Sequence, residues 1–315
     1  MGKMAPPASH RPLVGIGWMV ATGPLFVGVA MVVKHLGDAL PPPQAAFLRY
    51  ALGLVFFLPM MPAIAREVAA PRPLALYTLR GALHGLGVIG WFYAMTQITL
   101  AEVTALGYLN PVMVTVGAAL LLGERLALRR TLAVVAALAG VLVILRPGLR
   151  AVEAGHLVML VTATCFAGSY LLAKPLSARA PPEVIVAMLS VVVTVVLAPF
   201  AAASWVTPRP ADLAWLMLVA AFATGGHYAM TRAFRAAPIS ATQPVIFLQL
   251  VWATAMGALV FGEAVDPFVV AGGTIIVAAV SFIAWREAVL RRRVSAGTAA
   301  NEPAGPPPAQ GPSAR

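Results

Sequence analysis

Ten apolar runs, each close to the length that crosses a bilayer, leave this chain almost no freedom of fold. They fall at residues 13–34, 44–62, 74–98, 101–122, 130–146, 155–175, 184–203, 212–234, 238–261 and 267–287. A span needs about 20 apolar residues, and an unclosed sheet cannot satisfy its backbone in lipid. Each run therefore predicts a transmembrane helix. Only 10% of residues are charged, against about 25% in soluble domains, so no separate soluble domain fits beside the spans. Lys3 and Arg11 precede the first run as they would in a signal peptide, but the run is too long for one and is read as retained. Residues 294–315, rich in Pro, Gly and Ala, cannot bury a core and read as a disordered tail.

The net charge of +11 needs no nucleic acid. An even number of spans puts both termini on one side, and that side collects 17 of the 22 Lys and Arg residues. The opposite loops hold Lys34, Arg146, Arg150 and Arg209, while Arg49 lies inside the second span. Because cytoplasmic loops accumulate Lys and Arg, both termini are expected in the cytoplasm. The basic run Arg291, Arg292 and Arg293 is suited to anionic lipid.

The two halves repeat. At an offset of 140, Gly28, Lys34, Pro41, Pro42, Pro59 and Gly85 meet Gly168, Lys174, Pro181, Pro182, Pro199 and Gly225. At 139, Val112, Thr115, Gly123 and Glu124 meet Val251, Thr254, Gly262 and Glu263. Five spans per copy is odd, so the second copy enters the membrane upside down. Such inverted repeats are a transporter architecture with the substrate site near the midplane. The expected fold is an all-α membrane protein of ten helices in two inverted five-helix repeats.

The segment Leu100–Gly148, with Pro111 followed by LLLGE at Leu120–Glu124, resembles the EamA-type domain of the drug/metabolite transporter superfamily. Ala236–Val280 carries the second copy, including Gly262-Glu263, and FLRY at Phe47–Tyr50 matches the family's Arg in span two. The second copy departs at Leu250, which stands where Pro111 does, while Pro244 interrupts the span earlier. The resemblance implies a carrier of small metabolites in a bacterial-type inner membrane, its cavity lined by spans one, three, four, six, eight and nine. It divides the chain into a cytoplasmic arm (1–12), a first repeat (13–148), a second repeat (149–288) and a basic, disordered tail (289–315).

Polar side chains inside spans mark candidate substrate contacts. Asn110 and Gln249 occupy equivalent mid-span positions; they either bond one another or hold substrate. Pro111 removes the backbone donor that would bond Gly107, and with Pro244 it is a candidate helix break. His84 and Trp91 share a stripe with Gly87 and Arg80, the last read as a topology charge that snorkels to the helix end. His227 and Tyr228 adjoin the paired glycines Gly225 and Gly226. Tyr108, Tyr170 and Trp252 can stack on a planar substrate or pack. Arg49 either snorkels outward or attracts a carboxylate. Glu124 and Glu263, which end spans four and nine, are expected to pair with a nearby Arg or to cap a loop.

An intramembrane enzyme would need HExxH, paired aspartates or a Gly-x-Ser-x-Gly elbow, and the chain has none. A channel would need a filter or an acidic ring, also missing. The single Cys165 excludes an internal disulfide and a multi-cysteine zinc site. No metal or cofactor is expected. The partners are a small-molecule substrate, membrane lipid and, at most, a second copy of the chain as a homodimer. A non-transporting scaffold or partner subunit is the alternative.

Overall fold

Prolines at helix starts and left-handed glycines at helix ends mark out the elements. The computed structural model describes residues 12–69, 74–122, 128–177, 180, 182–237, 245 and 248–300. In chain order the helices are α1 (Pro12–Leu36), α2 (Pro42–Gly53), α3 (Met61–Ala69), α4 (Leu74–Gln97), α5 (Leu100–Gly107) and α6 (Asn110–Leu122). They continue as α7 (Leu128–Leu145), α8 (Ala154–Ser177), α9 (Pro182–Ala203), α10 (Pro210–Ala236), α11 (Leu248–Phe261) and α12 (Pro267–Ala300). Pro42, Pro182, Pro210 and Pro267 each open a helix, where the missing N–H would have no partner anyway. Gly37 (φ +50) and Gly262 (φ +66) follow α1 and α11 in the left-handed conformation that ends a helix. A 3-10 segment, Leu54–Met60, carries α2 through Pro59 into α3.

Among the described residues eight helical stretches are long and apolar enough to cross a membrane, including Pro42–Arg66, through α2 and α3, and Leu100–Leu120, through α5 and α6, each made of consecutive elements. The expected count of ten is therefore met only in part. The third expected span, α4, is a 24-residue helix, but Arg80, His84 and Gln97 dilute its apolar character. The ninth, α11, has only 14 described residues, and most of 238–247, Pro244 included, lies outside the described residues. The arm at 1–11, Glu124 and the end of the tail lie outside them too.

Packing runs across the halves rather than within them. Helix α1 lies against α10, α4 against α8, α7 against α12 and α2 against α9, with further contacts of α1 to α11 and α6 to α8. Expressed as expected spans, these pairs are 1–8, 3–6, 5–10, 2–7, 1–9 and 4–6. Exchanging the halves turns 1–8 into 3–6 and 1–9 into 4–6, and returns the other two to themselves. Where α7 crosses α12, an added Cβ at Gly140 would stand 2.7 Å from the Gly272 carbonyl oxygen, so two backbones touch. Small residues allow that approach in a membrane, where dispersion and close packing replace hydrophobic drive.

Candidate functional site

Span four does not cross in one piece. Thr99 caps α5 in a capping box with Glu102, and α5 ends at Gly107. The chain turns through Tyr108 and Leu109, whose amides bond back three residues to Ala105 and Leu106 (3.2 and 3.0 Å). Helix α6 then starts at Asn110, with Pro111 in its first turn, where Pro is tolerated. Pro111 has no N–H to offer the Gly107 carbonyl. Beside this break lies a cavity of about 350 Å³ walled by α1, α4, α5, α6, α8, α10 and α11. These elements are the six spans that the resemblance implies.

Six of the sequence-predicted residues line the cavity: Asn110, Gln249, Trp91, Tyr108, Tyr170 and His227. Asn110 and Gln249 thus face one space, and no hydrogen bond joins them. The Asn110 Oδ1 and Thr162 Oγ1 atoms are buried without a hydrogen-bond partner. The Tyr108 hydroxyl is bonded to the backbone at Leu250. Phe26 meets the His227 ring edge-on at 5.1 Å. Glycine makes room on α4: an added Cβ at Gly87 would lie 2.7 Å from Phe166 Cε1.

The other candidates stand elsewhere. His84 is one layer behind the wall, its ring 4.9 Å from that of Phe166 and its Nε2 sharing a 2.9 Å hydrogen bond with the Tyr50 hydroxyl. Arg49 stacks over the Tyr50 ring at 4.3 Å rather than lining the cavity. Tyr228 and Trp252 are exposed on the bundle's surface, Tyr228 edge-on to Trp18 at 6.1 Å and Trp252 beside Gly23. Neither touches the cavity. Arg80 corrects the snorkelling expectation, because α9 packs on α4 at this level. The side chain is 5% exposed and donates from Nη1 to the Ile185 carbonyl at 3.1 Å.

Sequence reasoning missed Thr22, Thr104, Thr162, Phe26 and Phe166, all in the wall. A usable signal existed on span six. Thr162, Phe166 and Tyr170 recur every fourth residue and form one stripe of α8.

A cluster of charged groups lies beside the cavity, next to its Met95 wall. Lys34 Nζ pairs with Glu263 Oε1 at 2.7 Å and donates to the carbonyls of Ile98 (2.9 Å) and Met95 (3.3 Å), Met95 being a cavity residue. Glu263 also accepts from the Leu100 amide at 2.9 Å, capping α5. Around them Arg150 meets Glu102 at 2.5 Å, His156 meets Glu102 at 3.3 Å, and Arg146 pairs with Asp266. Gln44 exchanges two hydrogen bonds with the Val206 backbone, at 2.6 and 2.9 Å. Apart from the Lys34 bonds to Ile98 and Met95, each of these contacts joins the first half of the chain to the second.

Such a wall has aromatic faces, unpartnered neutral acceptors and, among the described residues, no carboxylate. It suits a small organic molecule, since ligand pockets run upward from about 300 Å³. The pattern of the EamA-like transporter family matches this chain twice, over residues 13–146 and 153–285. A riboflavin transporter of Rhizobium johnstonii is 29% identical over 87% of this chain and 91% of its own length. An S-adenosylmethionine uptake transporter of Rickettsia bellii is 24% identical over 87% and 94%, and a pseudopaline exporter of Pseudomonas aeruginosa is 28% identical over 79% and 88%. A solved crystal structure shares the fold at a TM-score of 0.55 and 21% identity, over 87% of this chain and 97% of that one. With both halves matched, the chain belongs to the EamA-like transporter family, as a membrane transporter of small metabolites.

Proposed function

We propose that this chain is a secondary transporter that moves a small organic metabolite through the described cavity by alternating access, in a bacterial-type inner membrane with both termini cytoplasmic. The observation that carries this reading is the cavity itself, set beside a broken helix, between the two halves, with Asn110 and Gln249 from equivalent repeat positions on its wall. Discontinuous helices at a repeat interface are where transporters bind substrate. The exchange symmetry of the helix packing supports ten spans in two inverted repeats. On that topology Lys34, Glu263, Arg146, Arg150 and Asp266 lie at the outer face, and their ion pairs close the cavity on that side.

The named substrates of the relatives differ, and they leave amino-acid-like, nucleoside-like and vitamin-like molecules as the class. Metabolites inside and outside cells that make or lack the protein test the reading. Expression is expected to shift at least one compound between the two compartments, and the Asn110→Leu, Gln249→Leu double variant to abolish that shift while accumulating in the membrane. Because Asn110 and Gln249 do not bond one another, their loss removes contacts to substrate rather than a structural pair. Unchanged metabolites, or full transport by the double variant, would favour the scaffold alternative or a different site.

A further inference from the structure

Two guanidinium groups lie inside the bundle with no carboxylate beside them among the described residues. Arg49 rests on the Tyr50 ring, and its Nε is buried without a hydrogen-bond partner. Arg80 has one hydrogen bond, to the Ile185 carbonyl, and its Nε is likewise buried and unpartnered. Among the described residues the carboxylates in ion pairs are engaged elsewhere: Glu263 with Lys34, Glu102 and Asp266 with Arg146 and Arg150, Asp212 with Arg209. Tyr50, on whose ring Arg49 rests, is hydrogen-bonded to His84, which shares α4 with Arg80 and whose ring lies 4.9 Å from Phe166. Phe166 is a cavity wall, so the two guanidinium groups lie behind the cavity on its side.

A charge removed from water and left without a counter-charge is costly, and charged groups inside membranes face one another or a ligand path. Among the described residues no protein group supplies the counter-charge. Building on the transport reading above, we infer that the transported molecule carries an anionic group, a carboxylate or a phosphate, bound on the Phe166 side of the cavity in the field of Arg49 and Arg80. Its uncharged, planar part lies toward Trp91, Tyr108 and Asn110. The two ends of the cavity wall thereby divide the work: field on one side, stacking and neutral hydrogen bonding on the other.

The test uses the full chain in cells, with metabolites profiled for the unaltered protein, Arg49→Gln, Arg49→Lys and Arg80→Gln, and membrane levels measured by immunoblot. Every compound that responds to the unaltered protein is expected to bear a carboxylate or phosphate. Arg49→Gln is expected to lower transport at least tenfold at low substrate concentration, and Arg49→Lys to retain a larger share. The primary amide or ester of a responding acid, given to the unaltered protein, is expected to be moved at least tenfold less well. Responding compounds that are neutral or cationic would overturn the inference while leaving the transport reading intact. So would equal transport of acid and amide, or Arg49→Gln behaving as the unaltered protein. If Arg49→Gln fails to accumulate, the acid and amide comparison on the unaltered chain decides. An unaltered protein that moves nothing contradicts the transport reading, and this inference with it.

Discussion

Gly87 shows how much depends on a single missing side chain. Phe166 occupies the space a Cβ would take, 2.7 Å away, and presents the same ring to the cavity. Gly87→Ala must push that ring toward the substrate space, and overpacking of this kind costs about 1–3 kcal/mol. The variant is expected to melt at a lower temperature in detergent and to bind substrate several-fold more weakly. Gly17→Ala, with nothing within 4 Å, should match the unaltered protein in both measurements. If the two variants behaved alike, Phe166 would not shape the site. Residues at this scale were partly legible in the sequence. A repeat register picks out Asn110 and Gln249, and cost or bulk inside a span picks out Trp91, Tyr170 and His227, all of which stand on the cavity wall. Tyr228 and Trp252 stand away from it, because spacing alone does not tell the inward face of a largely apolar helix from the outward one.

Among elements, the ion-pair cluster beside the cavity is the clearest device. Glu263 was expected to cap a loop or to meet an Arg; it caps α5 and meets Lys34, because Gly262 turns the chain back over the end of α11. Lys34 belongs to a loop in the sequence view, yet its side chain is only 17% exposed and Glu263 only 11%. Removing one member of a buried pair strands the other and costs about 3–5 kcal/mol, whereas removing both is nearly neutral. Lys34→Met is therefore expected to lower the melting temperature, and Lys34→Met with Glu263→Gln to recover most of the loss. Equal melting of the single and double variants would contradict a coupled pair. The break between α5 and α6 was legible from Pro111.

The whole molecule reads as two halves that touch chiefly each other. The double match and the family were legible in the sequence, because proline and Gly-Glu survive in an apolar background that hides packing. The pairing of spans 1–8 and 3–6 was not, for it depends on contacts no spacing encodes. If the halves rock about the cavity, its two faces open in turn, and breaking the pairs at the Lys34 end should bias the molecule toward the outside. A cysteine at the cavity residue Thr104, in a Cys165→Ser background, reports this through labelling by a membrane-impermeant thiol reagent. Right-side-out and inverted vesicles give the rate from each face. Adding Lys34→Met and Glu263→Gln together is expected to raise labelling from outside and lower it from inside. Rates that rise together on both faces, or that do not change, would contradict alternating access through this cavity.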